Sequence, residues 1–265
     1  MSLYDAIARL YDPWSRSVTE DVSFYVGEAR RVSPGPVVEL GVGTGRIAVP
    51  IAAEGIRMIG VDSSAGMLEV CRERAESAGV AELVDLRLGD LRAPPVSERV
   101  SLVLCPFRSY LHLRTDEERL GALRAARELL VGGGRLVFDV FAPGADDIAE
   151  TDGRWLEREP GIFERADWDT DKRTLTLSVR GPSGEATLAL AWLSADEWRE
   201  LLDRAGFEVE ALYGWFDRRP FRAAKTWSGS RGVREGLAPV RVPVPETVLG
   251  PLPLQGQSPF GDSPY

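Results

Sequence analysis

Acidic side chains and closely spaced glycines stand where short apolar segments end. Glu39 lies in VVEL, which runs into Gly41-x-Gly43-x-Gly45, and Asp62 closes the next apolar segment. Glycines are needed where a chain turns tightly and a ligand approaches its backbone, and the amides of a following helix favour a negative group. A carboxylate at a strand end can accept two hydrogen bonds from the vicinal hydroxyls of a ribose. The pattern therefore indicates a nucleoside site.

The spacing of the glycines separates two kinds of nucleoside ligand. The dinucleotide fingerprint is GxGxxG, whereas this chain has GxGxG with Glu39 two residues before the first glycine. A carboxylate at Glu39 suits an ammonium group better than a pyrophosphate. Further along, Asp90 follows a third apolar segment and can accept from the exocyclic amine of adenine. A ligand with a ribose, an adenine and an amino acid moiety fits Glu39, Asp62 and Asp90.

These residues need a scaffold of buried strands. Five short segments are apolar almost throughout, as is typical of strands buried on both faces. They are residues 37–40, 58–61, 83–88, 100–105 and 135–141. Helical patterns at about 46–54, 65–78 and 116–130 lie between them. The repeated strand, helix, strand order predicts an α/β fold with a doubly wound, mostly parallel sheet.

The rhythm changes after Pro143. Residues 164–169, 173–180 and 186–192 are predicted strands joined by turns, which indicates a small antiparallel β insertion at about 154–193. A further helix after Ser194 and a strand at 207–213 complete this part of the chain.

Composition excludes several classes of protein. The chain has 265 residues, of which 44% are hydrophobic, and a net charge of −9. It can bury a core, it contains no apolar run of the about 20 residues that a membrane helix needs, and its acidity disfavours nucleic acid as a partner. Two cysteines and one histidine are too few for a disulfide framework or a structural zinc site, so no metal is predicted. The start lacks a basic leader, and we expect a cytoplasmic protein.

From about Tyr4 to Phe221 the sequence closely resembles the class I S-adenosylmethionine-dependent methyltransferases. It is most similar to the small-molecule branch that includes the glycine and amino-sugar N-methyltransferases. The resemblance rests on the ordered segments YDAIARLYD, VVELGVGTGRIAVPIA, GVDSSAGML, LGDLR, LVLCPFRSYLHL, LLVGGGRLVFDVFAP and LLDRAGFEVEALYGWFDRRPF. It implies a Rossmann-like sheet of the seven-stranded type, with S-adenosylmethionine as cofactor and S-adenosylhomocysteine as its product.

The resemblance also implies a set of cofactor-binding residues. They are Tyr11, Glu39, Gly41, Gly43, Gly45, Arg46, Asp62, Ser63, Met67, Asp90, Leu91, Cys105 and Phe107. In this reading Glu39 and Gly41 lie by the methionine amino group, and Asp62 holds the ribose. Tyr11 approaches the methionine carboxylate, and the chain from Cys105 closes over the methionine end.

The adenine side carries an open alternative. Ser63, Met67, Asp90 and Leu91 would frame the base. For Met67 and Leu91, ordinary packing in the core explains the residue type equally well.

The acceptor side of the site offers one candidate catalytic residue. His112 is the only histidine and falls in the segment that the family places beside the acceptor, so it is a candidate general base. Its alternative is a packing role on a helix face. Arg108 either attracts an acidic acceptor or is solvated. The insertion carries Trp155, Trp168 and Trp192, which wall the acceptor pocket, mediate dimerisation or belong to the core.

The predicted function is transfer of a methyl group to nitrogen or oxygen of a small-molecule acceptor by in-line displacement. The alternative is a sensor or partner protein that binds the cofactor without transferring methyl, and a nicotinamide-dependent reductase is disfavoured by the loop spacing. The expected partner is a small-molecule acceptor, without nucleic acid or membrane, and the protein is expected to be a monomer or homodimer.

The last part of the chain differs in composition from the rest. Residues 1–227 form the predicted methyltransferase domain, whereas 228–265 hold seven of the 18 prolines and six of the 27 glycines. This tail has little apolar surface to bury and is predicted to be extended or disordered. In the family an apolar antiparallel strand stands at this place. We therefore consider the hypothesis that the tail is frameshift-derived, with the reading frame shifting near Arg222.

Overall fold

A computed structural model of the chain describes residues 2–15, 19–141, 143–221 and 237–243. The helices are α1 (Ala8–Trp14), α2 (Glu20–Arg30), α3 (Ala48–Ala53), α4 (Ala65–Ser77), α5 (Asp116–Glu128), α6 (Ala145–Thr151) and α7 (Ala195–Arg204). The strands are β1 (Val37–Leu40), β2 (Met58–Asp62), β3 (Val84–Leu88), β4 (Val100–Cys105), β5 (Leu130–Phe141), β6 (Trp155–Glu159), β7 (Ile162–Asp169), β8 (Thr174–Gly181), β9 (Gly184–Ala191), β10 (Ala211–Leu212) and β11 (Leu237–Pro243). Short 3-10 helices cover 3–7, 81–83 and 109–112.

A seven-stranded sheet organises the chain, in the order β10-β11-β5-β4-β1-β2-β3. Strands β1 to β5 are neighbours in the sheet and pair in parallel. Strand β11 pairs antiparallel with both β5 and β10. The chain order reverses between β1 and β4, so the carboxyl ends of these two strands flank a crevice at the edge of the sheet where doubly wound folds bind ligands. The predicted doubly wound α/β fold is confirmed.

The parallel strands at the centre of the sheet are buried, as their composition predicts. All four residues of β1 are buried, and only one residue of β4 is exposed. Capping boxes fix the starts of two helices that cover the sheet, with Thr115 and Glu118 at α5 and Ser194 and Glu197 at α7. Among the described residues, no helix is long and apolar enough to cross a membrane.

The predicted antiparallel insertion is also present. Strands β6 to β9 form a separate four-stranded antiparallel sheet in sequential order. Three of these strands match the predicted segments, whereas β6 and α6 were not predicted. Trp14 in α1 donates from Nε1 to a Glu164 carboxylate oxygen in β7 at 2.8 Å, which ties the insertion to the amino-terminal helix.

Two predicted strands differ from the structure. Strand β3 lies at the edge of the sheet, so it is only half-buried, and its last residue, Leu88, is 61% exposed. Within the sheet, the segment 207–213 pairs only over Ala211–Leu212, with Arg241 and Val240 of β11, and Tyr213 forms an isolated bridge to Pro220.

Seven residues of the tail, which is predicted to be extended or disordered, are extended. Residues 237–243 form β11, which runs beside β5 with partners from Phe141 to Arg135. The composition of the whole tail obscures a short segment, LAPVRVP, in which valines alternate as they do in strands. The other residues of 228–265 lie outside the described part of the chain.

Candidate functional site

The glycine loop follows β1 and is held against the end of β2. The amides of Gly41 and Val42 both donate to the carbonyl of Val61, at 2.8 and 3.0 Å. Gly41, Gly43 and Gly45 all have positive φ, of 75°, 54° and 77°, a backbone conformation that side chains rarely adopt. A Cβ on Gly43 would meet nothing within 4 Å, so the loop is open there and its glycine is required by conformation.

Asp62 connects this loop to the start of α4. Its two carboxylate oxygens accept from the amides of Gly43 and Ser64, each at 2.8 Å. Burial raises the pKa of Asp62, although these amides favour the charged form. The amide of Ser63 also favours the charged form of Asp62. The carboxylate is therefore held in place by the backbone on both sides, and its remaining lone pair can accept from a ligand.

Glu39 is a buried carboxylate in the middle of the sheet. It pairs in register with Gly60 of β2 and Leu104 of β4, is 2% exposed, and its Oε2 has no hydrogen-bond partner. Burial raises the pKa of Glu39 well above its usual range. A buried carboxylate oxygen without a partner is costly, so this site fits a ligand that brings a hydrogen-bond donor or a positive charge.

The neighbouring Gly60 makes room for the glycine loop. A Cβ on Gly60 would stand 2.8 Å from Cγ2 of Val42, a contact too close for two carbon atoms. The position of the loop therefore depends on a glycine that lies in β2, outside the GxGxG pattern.

Arg46 lies directly after the glycine loop. Its guanidinium donates to both carboxylate oxygens of Asp21 in α2, at 2.7 and 2.5 Å, and its central carbon lies 4.6 Å from the ring centroid of Phe107. The ring of Tyr11 also meets that of Phe107, edge to face, with centroids 6.2 Å apart. The structure thus brings together three of the predicted cofactor-binding residues, Tyr11, Arg46 and Phe107.

Asp139 is a buried acid that the sequence analysis did not single out. It lies near the end of β5, is 1% exposed, and its Oδ1 accepts from the Tyr25 hydroxyl at 2.6 Å and from the Phe107 amide at 2.7 Å. Its Oδ2 has no partner, and burial raises its pKa to about 6. The available signal was a lone acid within the apolar run LVFDVF.

In the part of the chain that the structure describes, three carboxylates at this edge of the sheet lack a direct ion pair, although Arg46 attracts Glu39 and Arg108 attracts Asp139 at longer range. The carboxylates of Glu39, Asp62 and Asp139 form no ion pair with a lysine or arginine within the described residues. Since buried negative charge needs a compensating partner, the site fits a cationic ligand. S-adenosylmethionine carries a sulfonium and an ammonium against one carboxylate, and it therefore suits this set of residues.

The amino-terminal segment is tied across the same edge. Oδ1 of Asp5 accepts from Ser64 Oγ at 2.6 Å and from the Gly66 amide at 3.1 Å, at the start of α4. Asp12 accepts from Thr44 in the glycine loop at 2.6 Å and also bonds Arg74. Both acids belong to YDAIARLYD, of which sequence analysis singled out only Tyr11, and they hold α1 over the region between the loop and Asp62.

The residues predicted to frame the adenine have different environments. Ser63 is exposed, Met67 is almost completely buried at the start of α4, and Leu91 packs partly buried against the core. Asp90 bonds Arg92 with both oxygens, the shortest contact being 2.6 Å, and this hydrogen bonding lowers its pKa. The assignment of these four residues to the adenine stays a prediction.

The two remaining predicted residues lie after and at the end of β4. Cys105 is fully buried as the last residue of the strand. His112 lies in the following 3-10 helix, and burial lowers its pKa to about 4. Its Nε2 lies 2.9 Å from the Tyr4 hydroxyl. His112 is therefore a neutral imidazole in contact with the amino-terminal segment, and its catalytic role stays a prediction.

Comparisons with known proteins agree with this geometry. Residues 37–134 match the family model described as a methyltransferase domain. The cypemycin N-terminal methyltransferase of a Streptomyces species is 24% identical, over 83% of this chain and 89% of the relative.

Solved structures extend the likeness over nearly the whole fold. The CcbJ methyltransferase from Streptomyces caelestis superimposes with a TM-score of 0.78 and 27% identity, and the match covers 92% of this chain and 98% of CcbJ. The glycopeptide N-methyltransferase MtfA, solved with S-adenosylmethionine, shares the fold with a TM-score of 0.57 and 21% identity, over 86% of this chain and 96% of MtfA. With the glycine loop and its acids in place, these matches indicate a class I S-adenosylmethionine-dependent methyltransferase of the small-molecule type, with S-adenosylmethionine as its cofactor.

Proposed function

We propose that the enzyme transfers the methyl group of S-adenosylmethionine to nitrogen or oxygen of a small-molecule acceptor by in-line displacement. The observation that carries this proposal is the unpartnered Oε2 of Glu39, buried beside a glycine loop that Asp62 holds in place. Glu39 supplies a negative charge for an ammonium and Asp62 supplies acceptors for a ribose, which are the two ends of a methionine joined to a nucleoside.

The proposed roles of the other residues follow from their positions. Glu39 holds the methionine amino group and Asp62 the ribose hydroxyls. Tyr11 and the nearby guanidinium of Arg46 hold the methionine carboxylate, because they supply a hydroxyl and a positive charge close to Phe107. Phe107 covers the methionine end of the cofactor.

For this reaction the protein needs mainly to position the cofactor and the acceptor and to exclude water. When bound, S-adenosylmethionine supplies a methyl group on a positively charged sulfur. Holding two reactants in line can lower a barrier by about 7–11 kcal/mol, and the chain does this with the amino-terminal segment on one side and the rings around Phe107 on the other. An amine acceptor needs only to arrive unprotonated.

His112 is better suited to positioning than to proton removal. A base with a pKa of about 4 is too weak to remove a proton efficiently at neutral pH. The Nε2 of His112 also lies within hydrogen-bond distance of the Tyr4 hydroxyl. We therefore assign His112 the role of holding Tyr4, and with it the amino-terminal segment, over the site.

Nitrogen is the favoured acceptor atom. The cypemycin relative is named for methylation at an N-terminus, which is an amine, and its similarity extends over 83% of this chain. An amine acceptor is also consistent with a site whose single histidine is a weak base.

Binding and turnover test the proposal separately. Calorimetry with S-adenosylmethionine, S-adenosylhomocysteine and NAD should show binding of the first two and none of the third. Incubation with methyl-labelled S-adenosylmethionine and a metabolite extract should then label a small molecule, whose mass and fragmentation identify the methylated atom. Cofactor binding without label in any small molecule would overturn the proposed transfer.

A further inference from the structure

Arg108 has an unusual environment for an arginine. Its guanidinium carbon lies 5.3 Å from the ring centroids of both Phe107 and Phe141. Its Nε is buried without a hydrogen-bond partner, and no carboxylate pairs with it among the residues that the structure describes. A guanidinium held between rings keeps its planar set of donors available for a carboxylate or phosphate.

The backbone that presents Arg108 is strained. Phe107 and Arg108 have consecutive positive φ values of 54° and 67°, which residues with a side chain rarely adopt. Such strain persists only where the surroundings hold it. Here Asp139 holds it, because its Oδ1 accepts from the Phe107 amide at 2.7 Å. Asp139 is thus a positioning residue for Arg108.

Arg108 differs in this respect from Arg46, the other guanidinium beside Phe107. Arg46 follows the glycine loop and forms an ion pair with Asp21. Arg108 instead extends to Phe141, whose ring lies 6.1 Å from that of Trp168, and Trp168 lies 5.4 Å from Trp192. The unpaired positive charge therefore lies on the side of the insertion, beside an aromatic wall.

We propose that Arg108 binds a negatively charged group of the methyl acceptor, a carboxylate or a phosphate, while the apolar part of the acceptor lies against Phe141 and Trp168. This inference rests on the proposed transfer to a small molecule, and it narrows that molecule to one that carries an anionic group. It also explains why the chain maintains two strained residues after β4.

Simple anions test this without knowledge of the acceptor. The complex with S-adenosylhomocysteine is titrated with acetate, benzoate and inorganic phosphate, and with acetamide and benzamide as neutral counterparts, while tryptophan fluorescence is followed. The wild-type complex should bind at least one anion and neither amide, and the comparison of benzoate with phosphate distinguishes the two kinds of group. Arg108→Met should weaken anion binding at least tenfold, and Arg108→Lys should restore part of it. Arg114→Met, which changes an exposed arginine nearby, is the matched control.

Three results would overturn the inference. They are the absence of anion binding in the wild type, equal binding of benzoate and benzamide, and a tenfold loss of S-adenosylhomocysteine affinity in Arg108→Met, since the last would assign Arg108 to the methionine carboxylate. Failure of the labelled-methyl experiment would instead remove the proposed transfer and leave the anion measurements standing.

Discussion

The Tyr4 hydroxyl lies 2.9 Å from Nε2 of His112, and the two rings meet edge to face with centroids 5.5 Å apart. The contact joins the first residues of the chain to the segment that follows β4, across 108 positions of sequence. The only histidine of the chain therefore contacts the amino-terminal segment beside the site.

The stability of the fold should depend on pH through His112. Its folded pKa of about 4 lies below the value of about 6.5 in an unfolded chain, so between these pH values the unfolded chain takes up a proton that the folded chain does not. The free energy of unfolding should therefore fall as the pH drops from about 6.5 to about 4, by at most about 3 kcal/mol.

Urea unfolding of the wild type and of His112→Gln across this range measures the effect. Asp139, whose pKa is raised to about 6, acts in the opposite direction in both proteins, so the difference between them isolates His112. The wild type should lose stability more steeply towards low pH, and parallel profiles would contradict the prediction.

Glu39→Gln should separate binding from stability. Loss of the charge should raise the dissociation constant for S-adenosylhomocysteine about 10- to 100-fold, as expected for a hydrogen bond to a charged group. The free energy of unfolding should stay the same or rise by about 1 kcal/mol, because a desolvated carboxylate is removed from the core. Calorimetry and urea unfolding measure the two quantities.

Glu28→Gln is the matched control for Glu39. Glu28 is equally buried, at 2% exposed, but it pairs with Arg218 and Arg31. Its substitution should lower stability and leave S-adenosylhomocysteine binding unchanged. A Glu39→Gln protein with normal affinity would remove Glu39 from the cofactor site.

Asp62→Ala should weaken cofactor binding by about 1.5–3 kcal/mol, since it removes the ribose contacts and releases the amides of Gly43 and Ser64. Calorimetry with S-adenosylhomocysteine checks this. Asp85→Ala on the adjacent strand β3 removes only a carboxylate that is 47% exposed and paired with Arg87, and its affinity should match the wild type. Equal affinities in the two variants would count against the assignment.

The amino-terminal segment should control how fast the ligand leaves. Asp5→Ala removes the hydrogen bonds to Ser64 and Gly66, so S-adenosylhomocysteine should dissociate several-fold faster in stopped-flow displacement. Arg9 lies on the same segment and forms an exposed ion pair with Glu73 of α4. Arg9→Ala breaks this ion pair and should leave the dissociation rate unchanged. If Asp5→Ala dissociates at the wild-type rate, the segment does not act as a cover.

The frameshift hypothesis for the tail makes a prediction about the gene. β11 lies between two strands, yet it contains Pro239 and Pro243. These prolines are four residues apart, so both missing amides fall on the same side of the strand. Prolines are rare in internal strands. The hypothesis predicts that the DNA after the codon for Arg222 encodes an apolar strand in a second frame. Sequencing the gene decides this, and a second frame without an apolar strand would refute it.

The sequence predicts the parallel sheet well, because strands buried on both faces are apolar throughout, as in β1 and β4. Position within the sheet is less visible, since β3 is grouped with the buried strands although Asp85 and Arg87 alternate with its apolar residues, as suits a strand at an edge. The glycine loop, Glu39 and Asp62 are predictable because their chemistry depends on local spacing. Asp139 and Asp5 are not, because their partners Phe107 and Ser64 lie 32 and 59 positions away.

The contact between Gly60 and Val42 has a consequence for the interpretation of natural variants. An alanine in place of Gly60 would place its Cβ 2.8 Å from Cγ2 of Val42, so Val42 and the loop that carries it would have to shift. We expect such a variant to fold and to lose affinity for the cofactor. A harmless-looking exchange deep in a strand would thus be mistaken for damage to the ligand contacts themselves.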